Sequence, residues 1–355
     1  MLAPNQGVTK PKPKKRIELK PQPVAQDSER FKQFQTPIAV LMLGHVEGGP
    51  SNLSTWYKWA TETGRTGTKI YINHKVTDWA IPDEYAHVIV RLPFPEFEVR
   101  NTAWGLSSLV QAELNLLLYA FNVNDGVGFS HFIFVSKDAV PLRRADAFGR
   151  DIALHPNASR FVSMGDDQIA GQLEGMKKAR NQWLLVHQNN PEARNWWAQE
   201  YERNAAQFVT HSQWLALCWR DAALCMQNLS TLRTMARDYD LLFGVGPNDT
   251  RGGVLFLADD VWSNGQTVAA DEIVIGTFLN MRGIRPSANE LMAQSQDATR
   301  FHAEAHATVA ELRAAAGQSS DNAMFGRKIQ VRLQGNDVVT WVLIFQVKKS
   351  RMGEK

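Results

Sequence analysis

The stretch HFIFVSKDAVPLR, residues 131–143, decides the fold prediction because it joins a predicted strand directly to a group of polar side chains. Residues 131–135 form a short, nearly continuous apolar run, which is typical of a strand that is buried on both faces of a sheet. Ser136, Lys137 and Asp138 follow without a break. The position of Asp138 at a strand end leaves two interpretations open, a metal ligand and a cap of the following turn.

Segments that predict strands alternate with segments that predict helices along the first half of the chain. The strand segments are 37–45, 68–75, 87–92 and 131–136, and the helical segments are 51–63 and 108–122. This alternation predicts an α/β fold with a mostly parallel central sheet and helices on both faces. Ligands of such sheets bind beyond the carboxyl ends of the strands. The expected binding rim therefore contains the polar strand ends Gly44–His45, Asn73–Lys75 and Ser136–Asp138.

The second half of the chain is predicted to be more helical. Helical patterns cover 171–188, 195–208, 212–229 and 270–283, and two strand patterns follow at 321–333 and 337–349. The only two cysteines, Cys218 and Cys225, both fall in the third of these predicted helices. Seven residues of helix rise by about 10 Å, which is too far for a disulfide, so we expect two core thiols. No Gly-Ser linker divides the chain, and residues 37–355 are predicted to form one domain.

The composition is that of an ordinary soluble globular protein. The 355 residues are 44% hydrophobic and 21% charged, with a net charge of only +3. Much of the basic excess lies in residues 1–36, where prolines interrupt any helix, and this segment is predicted to be a disordered basic tail. Two interpretations of the tail remain, a solvated segment and a tether to an anionic partner such as nucleic acid or lipid.

The expected location is the cytoplasm. The chain starts without the apolar core of a signal peptide, and it contains no apolar run of 18 or more residues that would predict a membrane span. The scarcity of cysteine agrees with a reducing compartment. No membrane partner is therefore expected.

Common catalytic motifs are absent from the sequence. It contains no G-x-G-x-x-G, Walker A, H-E-x-x-H or G-x-S-x-G pattern. Acidic pairs occur at Asp166–Asp167, Asp238–Tyr239–Asp240 and Asp259–Asp260. A D-x-D element at a strand end can hold the metal that neutralises a nucleotide-sugar diphosphate. Asp238–Tyr239–Asp240 has these letters, but it follows a predicted helix and precedes a Gly-rich loop, which makes it a weak metal prediction.

Residues 104–143 resemble the core-2/I-branching β-1,6-N-acetylglucosaminyltransferase family, which includes plant relatives and the peptide xylosyltransferases. The resemblance begins with Trp104, the helical motif VQAELN at 110–115 and Pro141–Leu142. Three further segments resemble the family in the same order: HSQWLALCWRDA at 211–222, ADEIVIGTFL at 270–279 and AMFGRKI at 323–329. Together these segments extend the resemblance over roughly residues 37–330.

The resemblance implies a GT-A-like nucleotide-sugar-binding fold and an inverting transfer from a UDP-sugar without a divalent metal. No cofactor is then expected apart from the UDP-sugar co-substrate. Asp138 would shape the donor-sugar pocket or accept hydrogen bonds from sugar hydroxyls instead of binding a metal, and the turn-capping interpretation remains beside these roles. The strand-end residues His45 and Lys75 and the motif residue Trp104 are the other residues predicted on the donor side.

The resemblance also suggests catalytic roles. Glu272 matches the family's general base, which removes the proton of the acceptor hydroxyl; the alternative is a carboxylate that only favours a helix start. A basic pair near the C-terminus would stabilise the departing diphosphate in place of a metal. Lys328 matches one member of the pair and Arg300 the other by spacing, with Arg313 as a competitor, and solvated side chains are the alternative.

Acceptor binding is predicted for Glu174, Lys177 and Arg180, because EGMKKARNQW at 174–183 resembles the family's acceptor loop. The family's proline pair is missing there, and a helix with a solvated basic face is the alternative. The tryptophans Trp196, Trp197 and Trp214 suit either stacking on sugars or bases, or core packing.

The predicted function is a metal-independent inverting glycosyltransferase that moves a sugar such as N-acetylglucosamine or xylose to an acceptor hydroxyl. The acceptor is predicted to be a glycan or a hydroxylated base in DNA. Asn73–His74–Lys75 stands where the family often has His-Val-Asp, which leaves the donor open. The alternative function is a non-catalytic nucleotide-sugar or nucleic-acid-binding protein on the same fold. Because the cysteines and membrane anchor of secreted members are missing, we expect a microbial or viral relative, located in a microbial or virus-infected cell.

Overall fold

The computed structural model describes most of the chain between residues 37 and 285 and three short strands beyond it. The described ranges are 37–44, 53–61, 68–75, 79–103, 105–123, 129–137, 139–141, 157–161, 166–190, 192–211, 213–244, 269–285, 325–326, 329–331 and 343–345. The predicted tail, residues 1–36, lies outside these ranges. Five predicted donor-side residues also lie outside them: His45, Trp104, Asp138, Arg300 and Lys328.

A five-stranded sheet organises the fold. Its strands are β1 (Ile38–Leu43), β2 (Lys69–Asn73), β3 (Ile89–Arg91), β4 (His131–Ser136) and β6 (Ala216–Cys218), in the order β3-β2-β1-β4-β6. The first four strands are parallel, and β6 runs antiparallel to β4. Two short pairs complete the strands, β5 (Val140–Pro141) with β7 (Phe325–Gly326) and β8 (Ile329–Val331) with β9 (Leu343–Phe345). The prediction of an α/β fold with a mostly parallel sheet is confirmed.

Seven α-helices lie within the described ranges. They are α1 (Leu53–Thr61), α2 (Ser107–Val123), α3 (Asp166–Val186), α4 (Trp196–Asn204), α5 (Trp219–Gln227), α6 (Leu229–Leu242) and α7 (Val274–Asn280). Single 3₁₀ turns occur at Asp83–Tyr85, Ala205–Gln207 and Ala270–Glu272. None of the helices in the described ranges is both long and apolar enough to cross a membrane.

Helices cover both faces of the sheet, as predicted. Every residue of β1 is at most 4% exposed, so its side chains alternate between two buried layers. Ile38, Val40 and Met42 pack with the α1 residues, among them Trp56. Ala39, Leu41 and Leu43 belong to the larger core that contains α2 and most of the later helices. This two-sided burial explains why β1 is a continuous apolar run and not an alternating one.

The predicted helix over 212–229 is wrong in its first half. Residues 216–218 form β6, which pairs with β4 through Ile133 opposite Ala216, and the helix begins only at Trp219. A short apolar run does not distinguish a buried strand from a buried helix. Here the segment becomes a strand because it pairs with the edge of β4 that β1 does not occupy. Cys218 therefore ends a strand, whereas Cys225 lies in a helix. Both cysteines are free and buried, as predicted.

Three strands end at one level and form the predicted rim. Leu43, the last residue of β1, is in register with Asn73 of β2 and with Ser136 of β4. The chain leaves β1 towards β2 on one side and returns to β4 on the other. The carboxyl ends of β1 and β4 therefore flank the topological switch point, where α/β sheets bind their ligands.

Candidate functional site

The 3₁₀ turn Ala270–Glu272 is attached to the start of α2 at the carboxyl edge of the sheet. Helix α2 leads to the amino end of β4, so its own first turn lies at the opposite edge, beside the rim. The backbone N–H of Ala270 donates to the carbonyl oxygen of Gly105 at 2.9 Å, just before α2. Gly105 has a φ of 75°, a left-handed conformation that suits glycine. This contact brings the turn that contains Glu272 to the carboxyl edge of the sheet, where ligand binding is predicted.

Three carboxyl groups influence one another electrostatically where this turn packs against α2, and we call Glu113, Asp271 and Glu272 the acidic cluster. Glu113 of α2 is 1% exposed and Asp271 is 2% exposed, whereas Glu272 is partly exposed. Burial raises the pKa of Glu113 well above its usual range, and the charges of Asp271 and Glu272 raise it further. Only Glu272 combines a place in the cluster with access to solvent.

Gln213 joins the acidic cluster to the rim. The N–H of Phe134 donates to the carbonyl oxygen of Leu215, and extending this antiparallel register places Gln213 opposite Ser136. The Gln213 side chain also lowers the pKa of Glu113, so it lies close to that carboxyl. The acidic cluster is therefore on the α2 side of the sheet, next to the carboxyl end of β4.

His211 fixes the turn from the other side. Its backbone N–H donates to the carbonyl oxygen of Glu272 at 2.7 Å. Its ring is fully buried and lies so close to Gly276 of α7 that a Cβ on this glycine would approach the ring carbon Cδ2 to 2.3 Å. Thr277 extends the attachment, because its hydroxyl accepts the N–H of Val209 at 3.0 Å.

Lys75 is the one predicted donor-side residue within the described ranges. It is partly buried, and its ammonium group donates to the carbonyl oxygen of Thr102, in the segment before α2. Burial lowers the pKa of Lys75. The contact shows that this cation holds the α2 entry segment against the end of β2, at the predicted rim.

The predicted acceptor residues lie together on the outer side of α3. Lys177 and Glu174 are exposed and form a pair at 3.9 Å. Arg180 donates to the carbonyl oxygen of Ala198 at 3.1 Å and pairs with Glu202 at 2.5 Å, which attaches α3 to α4.

The D-x-D element lies inside α6, not after a helix, and both its carboxylates cap other helices. Asp238 accepts the N–H of Trp196 at 2.9 Å, at the start of α4. Asp240 accepts the N–H of Ser107 at 3.0 Å, at the start of α2. Within the ranges that the structure describes, no group of three histidine, cysteine or acidic residues is arranged to hold a metal ion. Capping of α4 and α2 therefore explains why both acidic side chains are present in this element.

The tryptophans are part of the core. Trp197 is fully buried and Trp214 is 5% exposed, while Trp196 is partly buried and stacks on Phe208. The core-packing interpretation is therefore confirmed for Trp197 and Trp214.

The Asp259–Asp260 pair lies outside the described residues.

Asn73 is the first residue of Asn73–His74–Lys75, the triplet that differs from the His-Val-Asp of the resembled family. It has a structural role in this chain. Its amide N–H donates to the carbonyl oxygen of Val99 at 3.0 Å, and its side-chain oxygen accepts the N–H of Val99 at 2.7 Å. The side chain thus pairs with a passing backbone in the way that another strand would. The next residue, His74, is fully buried with its ring against Trp79.

The site residues that the sequence did not single out are Glu113, Gln213 and His211. A signal was present for Glu113, because it interrupts the apolar side of α2 between Ala112 and Leu114. Gln213 and His211 belong to the segment HSQWLALCWRDA, which carried the resemblance but assigned them no role, and tertiary contacts bring them to the cluster. No family model matches the chain, and no curated protein matches its sequence. An accessible carboxylate beside two buried acids, at the sheet edge where α/β folds generally bind ligands, is suited to removing a proton from a bound hydroxyl.

Proposed function

We propose that this chain is a metal-independent inverting glycosyltransferase of the core-2/I-branching type, with a GT-A-like fold, that uses a UDP-sugar. The observation that carries the proposal is the position of Glu272. It is a partly exposed carboxylate at the carboxyl edge of a parallel sheet, and its backbone is held by His211. The family motif that suggested a base and the edge predicted to bind ligands converge on this residue.

In the proposed reaction, Glu272 accepts the proton of the acceptor hydroxyl while the acceptor oxygen attacks the anomeric carbon. The new oxygen–carbon bond forms on the face opposite UDP, and the bond between the anomeric carbon and the phosphate oxygen breaks. UDP leaves with that electron pair. Lys328 and Arg300, outside the described residues, are the proposed cations for the diphosphate.

The choice of Glu272 among the three carboxyl groups follows from accessibility. A general base must come within hydrogen-bond distance of the hydroxyl that it deprotonates. Asp271 and Glu113 are 2% and 1% exposed, so an acceptor does not reach them without rearrangement of the fold. Asp271 is then an orienting group in the turn, and Glu272 is the group that meets substrate.

The thermal midpoint of the protein, measured against a panel of nucleotides and nucleotide-sugars with and without EDTA, tests the donor. A ligand that binds only the folded protein raises the midpoint by mass action. We expect UDP and one UDP-sugar to raise it equally in EDTA and in its absence. A shift that EDTA abolishes would show a metal-dependent site, and no shift with any nucleotide would overturn the proposal.

Turnover is then measured with the UDP-sugar that shifts the midpoint. Release of UDP on addition of glycans or of DNA containing hydroxylated bases identifies the acceptor class. Inversion is read from the anomeric configuration of the product. Donor binding without UDP release for any acceptor would favour the binding protein without turnover.

A further inference from the structure

Glu113 is a carboxyl group in the middle of an apolar helix face. Its neighbours on α2 include Val110, Leu114 and Leu117, all with no exposed surface, and Glu113 itself is 1% exposed. Neither of its carboxyl oxygens has a hydrogen-bond partner of normal geometry among the described residues. Gln213 is the polar side chain beside the carboxyl, and its interaction with the group lowers the pKa of Glu113.

A buried carboxylate without a strong partner is costly, and the group responds by keeping its proton. Burial is the largest cause that raises the pKa of Glu113, followed by the charges of Asp271 and then Glu272. Each negative charge on Asp271 or Glu272 makes ionisation of Glu113 less favourable. The proton is expected on Glu113, because its carboxyl is buried among the apolar side chains of α2 and burial is the largest cause of its raised pKa.

Other charged or titratable groups approach α2 from the elements packed against it. Those with a described interaction there are Tyr71 of β2, Arg233, Tyr239 and Asp240 of α6, and His211 beside the turn. Arg233, the cation of this set, donates to Asn115 at 3.1 Å. Tyr239 is a neutral phenol whose pKa burial raises. None of these groups acts on Glu113 as Asp271 and Glu272 do.

We propose that Glu113 is a positioning residue for Glu272. It is a neutral carboxylic acid packed against the 3₁₀ turn, and its lack of charge leaves Glu272 ionised. Ionisation of Glu113 itself at alkaline pH inactivates the site. The inference rests on the proposed function, in which Glu272 is the base. A negative charge on Glu113 would raise the proton affinity of Glu272 and repel the turn from α2. Activity would then fall at high pH although Glu272 itself is already ionised.

The first test needs no activity. Urea unfolding of the wild type and of Glu113→Gln is compared from pH 5 to pH 9. Because the folded-state pKa of Glu113 is raised, its contribution to stability is complete below the unfolded-state pKa and is lost as pH rises through the folded-state pKa. The folding constant of the wild type, relative to that of Glu113→Gln, should fall by up to tenfold per pH unit. A ratio that stays constant over this range would overturn the proposal.

Two comparisons make this test specific. Glu96→Gln, at an exposed position, should leave the pH dependence of the wild type unchanged. If Glu113→Gln does not fold, Glu113→Met removes the same proton and supplies the comparison. In the wild type at pH 7, the infrared carbonyl band of a protonated carboxylic acid should be present, and its absence would also overturn the proposal.

The second test uses the transfer reaction. With kcat/KM expressed relative to each protein's own value at neutral pH, the wild type should show a decrease at alkaline pH that Glu113→Gln lacks. A purely structural role would instead lower the rate by one factor at every pH, which would overturn the positioning role. If the wild type shows no transfer, the proposed function fails, while the unfolding measurement still decides where the proton is.

Discussion

The backbone N–H of His211 donates to the carbonyl oxygen of Glu272 at 2.7 Å, while the ring of the same histidine packs against Gly276. One buried residue thus holds the 3₁₀ turn and the helix that follows it. The hydrogen bond uses the backbone carbonyl of Glu272 and not its carboxyl group. The turn that bears the proposed base is therefore positioned from the segment that leads into β6.

Replacing Glu272 by glutamine should abolish transfer and preserve donor binding. The amide is isosteric but accepts no proton, and general bases contribute about 10²- to 10⁴-fold to rates. We expect kcat to fall by at least about 10²-fold while the UDP-induced rise of the thermal midpoint is unchanged. Glu84→Gln, in the exposed 3₁₀ turn Asp83–Tyr85, is the control. Full activity of Glu272→Gln would refute the assignment of the base.

Gly276→Ala should destabilise the protein and displace the turn. The added methyl would meet Cδ2 of buried His211 at 2.3 Å, and overpacking of this kind costs about 1–3 kcal/mol. The free energy of unfolding measured in urea and the rate of transfer should both decrease. Gly283 is the control, because an added methyl there meets no atom within 4 Å. Its φ of 80° is unfavourable for alanine, so Gly283→Ala should lose stability through this backbone conformation alone. Its activity per folded molecule should be unchanged.

Asp240→Asn should change how stability depends on pH. Burial raises the pKa of Asp240 from its usual 3.8 to about 6, although the hydrogen bonds from Ser107 act in the opposite direction. The contribution of this group is therefore complete below about pH 4 and is lost as pH rises through about pH 6. Relative to the wild type, the variant should gain about 2–3 kcal/mol between pH 4 and pH 7 in urea unfolding.

A comparison with Asp240→Ala separates titration from capping. The asparagine oxygen still accepts the N–H of Ser107, whereas alanine loses the cap of α2 at a cost of about 1 kcal/mol at every pH. The pH-dependent difference should be the same in both variants. An Asp240→Asn profile parallel to that of the wild type would contradict the raised pKa.

Asn73→Asp should destabilise the fold by about 1–3 kcal/mol, because the carboxylate replaces the amide donor and faces the carbonyl oxygen of Val99. Asn101→Asp, the same change at an exposed position, should have little effect. The measurement is urea unfolding at neutral pH. Equal stability of the two variants would show that the amide pairing with Val99 contributes nothing.

Arg180→Ala and Lys177→Ala separate structural from acceptor-binding roles on α3. Arg180 attaches α3 to α4, so its loss should cost about 1–2 kcal/mol. Lys177 forms only an exposed pair with Glu174, so its loss should change stability by less than about 0.5 kcal/mol. A rise of KM for the acceptor in Lys177→Ala, at unchanged stability, would support the predicted acceptor role; an unchanged KM would remove Lys177 from it.

The strand and helix pattern of the first half could be predicted from local sequence because each segment carries its own signal. The apolar run of β1 is buried on two sides, and α2 is a long segment rich in leucine and alanine, which favour helices. The position of the rim could also be predicted from the sequence, because the carboxyl ends of parallel strands lie at the same edge of a sheet. β6 could not be predicted, because pairing with β4 and not local propensity makes residues 216–218 a strand.

The sequence by itself determined the layered α/β architecture, the rim that contains Asn73 and Ser136, and the choice of Glu272 as the acid to examine. These depend on periodicity and motif, which neighbouring residues express. Only the tertiary structure decided that Glu113 lies beside Asp271, that Asp240 caps α2 and that His211 holds the turn. Each of these joins residues far apart in the chain, and burial and charge act on them only after folding has brought them together.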